Sequence, residues 1–310
     1  NFMPISVLRL LLGSSLLTLA ACGSATDDAN STAEAAATDT AIETDVTSQV
    51  PEAPAELART TLDDVVAGSW RGENAQRDEF RHPAQTLEFM NIPADGTVIE
   101  IWPGGGWYTE VLAPWLDAND GQYIAAHFPA ETGSDGRQRS RGRFEDKVSN
   151  TEIYGDVMIV DFTESSGPLI EPGTADAVLS FRNVHNWLMY GWSEKAFSDF
   201  YTALRPGGVL GVVDHRLPST REQDPTAPDG YVQQDYVIAL AQEAGFELVD
   251  TSEVNANPAD TADHPFGVWT LPPVRRDAPR GEVADPDFDR EHYDAIGESD
   301  RMTLLFRKPE

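Results

Sequence analysis

The chain has 310 residues, of which 52 are acidic and 22 are lysine or arginine, so its formal net charge is −30 at pH 7. This balance argues against a nucleic-acid-binding protein, because contacts with phosphates need clustered lysine and arginine side chains. With 40% hydrophobic residues the chain can bury a core, which excludes a fully disordered protein. The only cysteine is Cys22, which excludes an intrachain disulfide and a cysteine-rich metal site.

The first 22 residues have the features of a bacterial export signal. Arg9 supplies a positive charge, and the apolar run over residues 10–19 is too short to cross a hydrocarbon core of roughly 30 Å. The sequence Leu-Ala-Ala-Cys at residues 19–22 resembles a lipobox, in which the cysteine thiol receives diacylglycerol. Gly23 resembles the outer-membrane sorting pattern. We therefore expect an exported protein that is lipid-anchored at the cell envelope and faces the periplasm, with a plain secretory signal as the alternative.

Residues 23–59 differ in composition from the rest of the chain. They are rich in Ala, Thr, Ser and Asp, carry eight acidic residues and one basic residue, and contain no aromatic residue. Their apolar residues follow no helical or strand period, so they predict a disordered acidic tether. Residues 60–310 are then expected to form one domain, attached to the membrane only through the lipid.

The remainder of the chain alternates between apolar strands and helical segments. The pattern predicts a helical segment over 77–90 with a break at Pro83, and helices over 108–116, 194–204 and 231–244. It predicts strands over 97–101, 123–126, 156–160, 175–181, 209–213, 246–252 and 302–306. A loop is expected over 130–150, and an insertion over 255–273 is either a lid or an edge cover. Apolar strands that alternate with amphipathic helices are typical of an α/β fold with a mostly parallel sheet and helices on both faces. In such a fold the functional loops lie at the carboxyl ends of the strands.

A glycine-rich segment follows the first predicted strand and precedes a helix. Glycines at this point let the backbone approach a ligand, and the start of a helix offers unpaired N–H groups. Gly104 and Gly106 begin a dinucleotide-binding fingerprint, but Thr109 stands where the third glycine is required. The segment therefore predicts a site for an adenosine-containing ligand and disfavours NAD.

Four short blocks lie in order along the predicted domain. They are Glu-x-Trp-Pro-Gly-Gly-Gly-Trp-Tyr-Thr at 100–109, Phe-Arg-Asn-Val-His-Asn-Trp at 181–187, Gly-Val-Val-Asp-His-Arg at 211–216 and Gly-Glu-Ser-Asp-Arg-Met at 297–302. Together they resemble a bacterial family of predicted class I S-adenosylmethionine-dependent methyltransferases, many of which are exported. The resemblance covers roughly residues 60–310.

This resemblance implies a Rossmann-like class I methyltransferase fold with a seven-stranded sheet, and S-adenosyl-L-methionine as the cofactor. The cofactor-binding residues that it implies are Glu100, Gly104, Gly105, Gly106, Tyr108, Thr109, Asp161 and Phe181. Two positions depart from the wider superfamily. Trp102 replaces the first glycine of the motif, where a large ring would crowd the cofactor unless the loop is rearranged. No acid follows the second strand, so Glu100 is the expected cofactor-side acid.

Polar residues follow the fourth and fifth predicted strands. Arg182 and His185 come after the fourth strand, while Asp214 and His215 come after the fifth. Neighbouring parallel strands lie about 4.8 Å apart, so both pairs are expected at one crevice. In a methyltransferase, either histidine has a suitable ordinary pKa to accept a proton from the methyl acceptor, and Asp214 is placed to orient a histidine. Arg182 is a candidate to bind an anionic group of the acceptor.

Two alternatives to a methyltransferase remain open. His185, Asp214 and His215 have the ligand types of a metal site, although Asp214 and His215 can serve one ion only if their strand has already ended, since adjacent strand residues point to opposite faces. Export separates the protein from the cytoplasm, where S-adenosylmethionine is made, which favours a non-catalytic periplasmic binding module of the same fold. The residues do not identify the acceptor, which is either a small molecule or a surface group.

The lipobox predicts that Cys22→Ala abolishes incorporation of radiolabelled palmitate in a bacterial host, because the thiol is the attachment point. Ser14→Ala, in the apolar run of the signal, serves as the control and is expected to retain labelling. Palmitate on the Cys22→Ala chain would show that the lipobox assignment is wrong.

Overall fold

The computed structural model describes residues 59–310. The predicted signal with Cys22, and the predicted tether as far as residue 58, lie outside the described residues. Within 59–310, no helix combines the length and the apolar character that a membrane crossing requires. The first helix follows Thr61, whose hydroxyl accepts a hydrogen bond from the backbone N–H of Asp64 (3.2 Å) and so caps the helix.

The described part of the chain alternates between helices and strands. Its α-helices are α1 (Leu62–Val66), α2 (Asp78–Arg81), α3 (Pro83–Met90), α4 (Thr109–Asp117), α5 (Asp135–Val148), α6 (Thr151–Tyr154), α7 (Val184–Tyr190), α8 (Ser193–Ala203), α9 (Gln234–Glu243) and α10 (Arg290–Ile296), and a 3₁₀ segment spans Ser69–Arg77. Its strands are β1 (Thr97–Ile101), β2 (Gln122–His127), β3 (Met158–Asp161), β4 (Ala175–Phe181), β5 (Leu204–Leu217), β6 (Val232–Gln233), β7 (Glu247–Ser252), β8 (Pro265–Val268) and β9 (Arg301–Arg307).

Seven of these strands form one sheet in the order β3-β2-β1-β4-β5-β9-β7, and the short β6 pairs with the end of β5. The pairs along β3-β2-β1-β4-β5 are parallel, whereas β9 is antiparallel to both of its neighbours. Alternate residues of β1 enter different cores: Ile99 and Ile101 pack on one face of the sheet and Val98 on the other. The predicted mostly parallel, seven-stranded sheet covered on both faces is confirmed.

The prediction of a loop over 130–150 is wrong, because residues 135–148 form α5. The segment is rich in Arg and Gly and has almost no apolar stripe, so its sequence carries little helical signal. Its helix is stabilised by tertiary contacts: Phe144 is fully buried, and Phe144 and Lys147 lie against Gly106 of the glycine loop. Packing against that loop overrides the weak local propensity.

The antiparallel β9 brings a distant part of the sequence to the functional edge of the sheet. Arg301, at the start of β9, pairs with His215, near the end of β5. An antiparallel strand places its amino end where its parallel neighbours place their carboxyl ends. Residues 297–300, which precede β9, therefore lie beside the loops that follow β4 and β5.

Candidate active site

Among the cavities at this edge of the sheet, two share Arg182 as a lining residue. The loop cavity, of about 280 Å³, is the one over the glycine-rich segment. Of the residues predicted from the sequence, it is lined by Glu100, Gly104, Gly105, Tyr108, Phe181 and Arg182.

The histidine cavity, of about 210 Å³, is the one beside the ends of β4 and β5. Its polar wall includes His185 and His215, and Trp269 belongs to its apolar wall. Trp269 comes from the predicted insertion over 255–273, which therefore covers one side of this cavity.

His185 and Asp214 form a buried hydrogen-bonded pair beside the histidine cavity. Nδ1 of His185 lies 2.9 Å from Oδ1 of Asp214, and the backbone N–H of His185 donates to Oδ2 (3.2 Å). Because an ionised carboxylate only accepts hydrogen bonds, Nδ1 carries the ring proton. Within residues 59–310, Nε2 of His185 has no hydrogen-bond partner. The pair thus presents Nε2, the ring nitrogen that Asp214 does not hold, at the histidine cavity.

His215 lies next to this pair, with its ring centroid 5.2 Å from that of His185. Its Nδ1 is 2.5 Å from the hydroxyl of Ser299. Burial lowers the pKa of His215 well below its ordinary value, and the nearby His185, Arg182, Arg301 and Arg81 act in the same direction. His215 is therefore neutral at pH 7.

The chain was compared with known proteins. No family model matches it. A sterol 24-C-methyltransferase from Clavispora lusitaniae is 28% identical over 153 residues, which are 47% of this chain, and the chain spans only 35% of that relative's length. A SAM-dependent methyltransferase from Aquifex aeolicus is 16% identical with a TM-score of 0.46, covering 63% of this chain and 91% of that one.

A solved structure of a proposed sarcosine dimethylglycine methyltransferase from Galdieria sulphuraria has a TM-score of 0.52 at 16% identity, covering 76% of this chain and 86% of that one. Its likeness, together with the sheet order and the antiparallel β9, identifies the architecture. The chain has the Rossmann-like class I methyltransferase fold. The cofactor expected for this fold is S-adenosyl-L-methionine.

The glycine loop of this methyltransferase fold has the open space that such a cofactor needs. A methyl group placed on Gly104 or Gly105 would meet no other atom within 4 Å. Gly104 has a φ of +60°, a conformation that favours glycine. Gly106 has another role, since its φ is +77° and the α5 side chains pack against it.

Trp102 lines the loop cavity, but its ring packs into the core beneath the loop. Its φ is +45°, and the residue is only 8% exposed, with its indole packed among Phe128, Phe162, Trp187 and Trp192. The indole N–H donates to the backbone oxygen of Phe162 (3.0 Å). The expected crowding is thus relieved by a rearranged loop that directs the ring into the core, and the residues present fit the cofactor.

Glu100 is the acid at the floor of the loop cavity. One of its carboxylate oxygens accepts hydrogen bonds from Tyr123 (2.5 Å) and Thr109 (3.0 Å). Burial raises the pKa of Glu100 to about 7, although these two hydrogen bonds and the Lys147 ammonium act in the opposite direction. Thr109 orients Glu100 through its hydrogen bond, and it is not among the residues that line the cavity.

The other predicted residues divide between the loop cavity and its surroundings. The rings of Tyr108 and Phe181 stack at 3.6 Å and form a wall of the cavity. Asp161 lies outside it, where it binds Arg141 (3.2 Å). His127 follows the second strand in place of an acid, and its Nε2 lies 3.2 Å from the backbone oxygen of Gly104. Burial lowers the pKa of His127 to about 4, so a neutral ring supports the loop.

A buried carboxylate from the far end of the chain organises a group of arginines at the site. Glu298 binds Arg77 (2.7 Å), Arg81 (2.9 Å) and Arg301 (3.1 Å). Burial alone would raise the pKa of Glu298, but the guanidiniums of Arg81, Arg301, Arg182 and Arg77 outweigh it and lower the pKa to about 2.

Sequence reasoning missed Arg77, Arg81 and Glu298 as site residues. The four-residue spacing of the two arginines and the block at 297–302 were the available signals, but neither indicates which residues meet. Two other polar residues bridge neighbouring segments: Asn183 donates to the backbone oxygen of Ile101 (2.8 Å), and Arg216 binds Asp300 and Glu253. The side chain of His264 is buried against Asp260 (2.7 Å).

Glu298→Gln is expected to lower the free energy of unfolding by about 3–5 kcal/mol, because it leaves buried guanidiniums without a counter-charge. The measurement is urea unfolding, with Glu253→Gln as control, since that carboxylate is 67% exposed beside Arg216 and its loss should cost about 0–1 kcal/mol. The folded pKa of Glu298 is depressed, so its contribution is fully present above pH 4.5 and is lost as the pH falls towards 2. A loss below 1 kcal/mol at pH 7 would contradict this role.

Proposed function

We propose that the chain is an S-adenosyl-L-methionine-dependent methyltransferase. The observation that carries the proposal is the position of Arg182, which lines both the loop cavity and the histidine cavity. A cofactor site and an acceptor site on the two sides of one residue bring a methyl donor and an acceptor together. The distant likeness to a sterol 24-C-methyltransferase supports this activity.

In this proposal, the residues of the loop cavity bind and orient the cofactor. When bound, S-adenosyl-L-methionine supplies a methyl group on a positively charged sulfur, so activation of the leaving group comes with the cofactor. Gly104 and Gly105 let the backbone approach it, and Glu100 offers a carboxylate held in place by Thr109 and Tyr123. Positioning of this kind is the main contribution that the protein has to make.

The residues of the histidine cavity handle the acceptor. As the nucleophilic atom of the acceptor takes the methyl group, its proton passes to the free Nε2 of His185. Asp214, bound to Nδ1 at 2.9 Å, fixes the tautomer and stabilises the positive ring that results. The apolar side chain of Trp269 excludes water from one wall of the cavity.

The proposal also includes the cellular setting inferred from the sequence. A lipid at Cys22 would hold the domain at the cell envelope, and residues 23–59 would separate it from the membrane surface. S-adenosyl-L-methionine would have to reach that compartment, so binding of the cofactor is the first property to test.

Isothermal titration of the purified full chain in detergent with S-adenosyl-L-methionine and S-adenosylhomocysteine tests the proposal. Both are expected to bind, and Gly105→Leu is expected to abolish binding of both, because its side chain enters the open space over the loop without backbone strain. Gly167→Leu is the matched control, since a side chain there also meets no atom within 4 Å and lies away from the cavity. Absence of binding at millimolar concentration, or full binding by Gly105→Leu, would contradict the proposal.

A metal-dependent enzyme is the second candidate, favoured by one observation. His185, Asp214 and His215 each offer a ligand atom within 4.8 Å of the others. Nδ1 of His215 is held by Ser299, an outer-shell contact of the kind that orients a metal ligand. The guanidinium of Arg182 lines the same cavity and disfavours a cation, which places this candidate second.

Metal analysis of protein purified without chelator distinguishes the two candidates. A metal enzyme would carry about one zinc or other divalent ion per chain and lose it in His185→Ala, while the exposed His292→Ala would retain it. Metal content that is the same in His185→Ala and wild type would overturn the second candidate.

A further inference from the structure

The arginine group has more positive charge than its carboxylate neutralises. Glu298 directly binds Arg77, Arg81 and Arg301, but it does not bind Arg182. Within residues 59–310, the side chain of Arg182 has no hydrogen-bond or ion-pair partner, although its backbone N–H donates to Val213 (2.7 Å). An unpaired guanidinium thus lies between the two cavities.

Other buried donors nearby are also unpartnered. Among the described residues, Nη2 of Arg77 and Nη2 of Arg81 are buried and find no hydrogen-bond partner, and both residues line the loop cavity. Arg81 is only 1% exposed. Because a buried donor without a partner carries a desolvation cost, these atoms indicate that an acceptor of hydrogen bonds completes the loop cavity. Their positive charge adds to that of Arg182, which this cavity shares with the histidine cavity.

The expected cofactor cannot balance this charge by itself. In S-adenosyl-L-methionine the α-ammonium and α-carboxylate cancel, and the sulfonium leaves a net charge of one positive unit. The loop cavity offers Glu100 as its own acid, and burial raises the pKa of this group to about 7. A bound sulfonium therefore meets a site that is already positive.

We propose that the histidine cavity binds an anionic acceptor, an organic carboxylate or phosphate whose charged group pairs with Arg182. This inference rests on the proposed function for the identity of the reaction, but the anion site is defined by Arg182 itself. A guanidinium binds both kinds of anion through paired N–H donors. The negative charge of the acceptor stabilises the positive sulfonium of the cofactor in the neighbouring loop cavity. Acceptor and cofactor therefore strengthen each other's binding.

The other residues that line the histidine cavity indicate the chemistry of the non-anionic part of the acceptor. Trp269, Pro272 and Val274 line the side contributed by the 255–273 insertion and the residue after it, and they offer an apolar surface. His185 and His215 provide the polar side, close to Arg182. A small acid with an aromatic or aliphatic body fits this division, with its anionic group at Arg182 and its apolar part against Trp269.

The effect of a bound anion should differ between the two cofactor forms, because S-adenosylhomocysteine lacks the sulfonium charge of S-adenosyl-L-methionine. The test is isothermal titration of the full chain with each cofactor form, in the presence of benzoate, phenyl phosphate or the neutral benzamide. We expect the better-fitting anion to raise affinity for S-adenosyl-L-methionine about 5- to 150-fold, with a smaller effect on S-adenosylhomocysteine. Benzamide is expected to have no such effect, and the two anions separate a carboxylate site from a phosphate site.

Arg182→Gln is expected to remove the coupling, and Arg182→Lys to retain part of it, since the charge is kept without the paired donors. Arg205→Gln is the control, because Arg205 forms an exposed pair with Asp176 far from the cavity. Thermal unfolding of each variant verifies that it is folded. Coupling that persists in Arg182→Gln, or an equal effect of benzoate and benzamide, would overturn the inference.

Two further outcomes separate the inference from the proposed function. If neither cofactor form binds but benzoate or phenyl phosphate binds in an Arg182-dependent way, the methyltransferase proposal fails and the anion site stands. If Arg182→Gln weakens both cofactor forms equally and no anion affects either, Arg182 binds the cofactor's own carboxylate and the inference is overturned.

Discussion

The candidate site depends on one buried carboxylate. Glu298 binds Arg77 and Arg81 from the start of the domain and Arg301 from its last strand, so it joins the two ends of the described chain at the edge of the sheet. Arg81 is further fixed by the ring of Trp107, 4.7 Å from its guanidinium. Without this counter-charge the guanidiniums would repel one another in a medium that screens charge poorly.

The glycine loop is shaped by a second constraint, the aromatic cluster beneath it. Trp102 turns into the core and packs among Phe128, Phe162, Trp187 and Trp192. Large rings that fill the core at this point fix the backbone above them, because a packed interior resists deformation. Gly104 and Gly105 are then free to present backbone to a ligand, with a cavity on their open side.

Much of the fold could be predicted because the strands carry strong local signals. The strand over 175–181 was predicted with its observed bounds, and the glycine loop was placed correctly between β1 and α4. Helix α5 was missed because its stability comes from burying Phe144 against that loop, which no sequence period reveals. The sequence places Asp214 at one crevice with two histidines, and in the structure Asp214 contacts His185 because β4 and β5 are neighbours.

The sequence by itself determined the alternation of strands and helices, the glycine loop and the polar residues at the strand ends, since each depends on neighbours in the chain. The tertiary structure decided which distant residues complete the site. Glu298 is 221 residues from Arg77 and 217 residues from Arg81 along the chain, and the reversal of β9 in the sheet brings it to the same edge as these two arginines. Burial and charge at that edge, which no local pattern records, leave the Arg182 side chain between two cavities with no ion-pair partner in the described part of the chain.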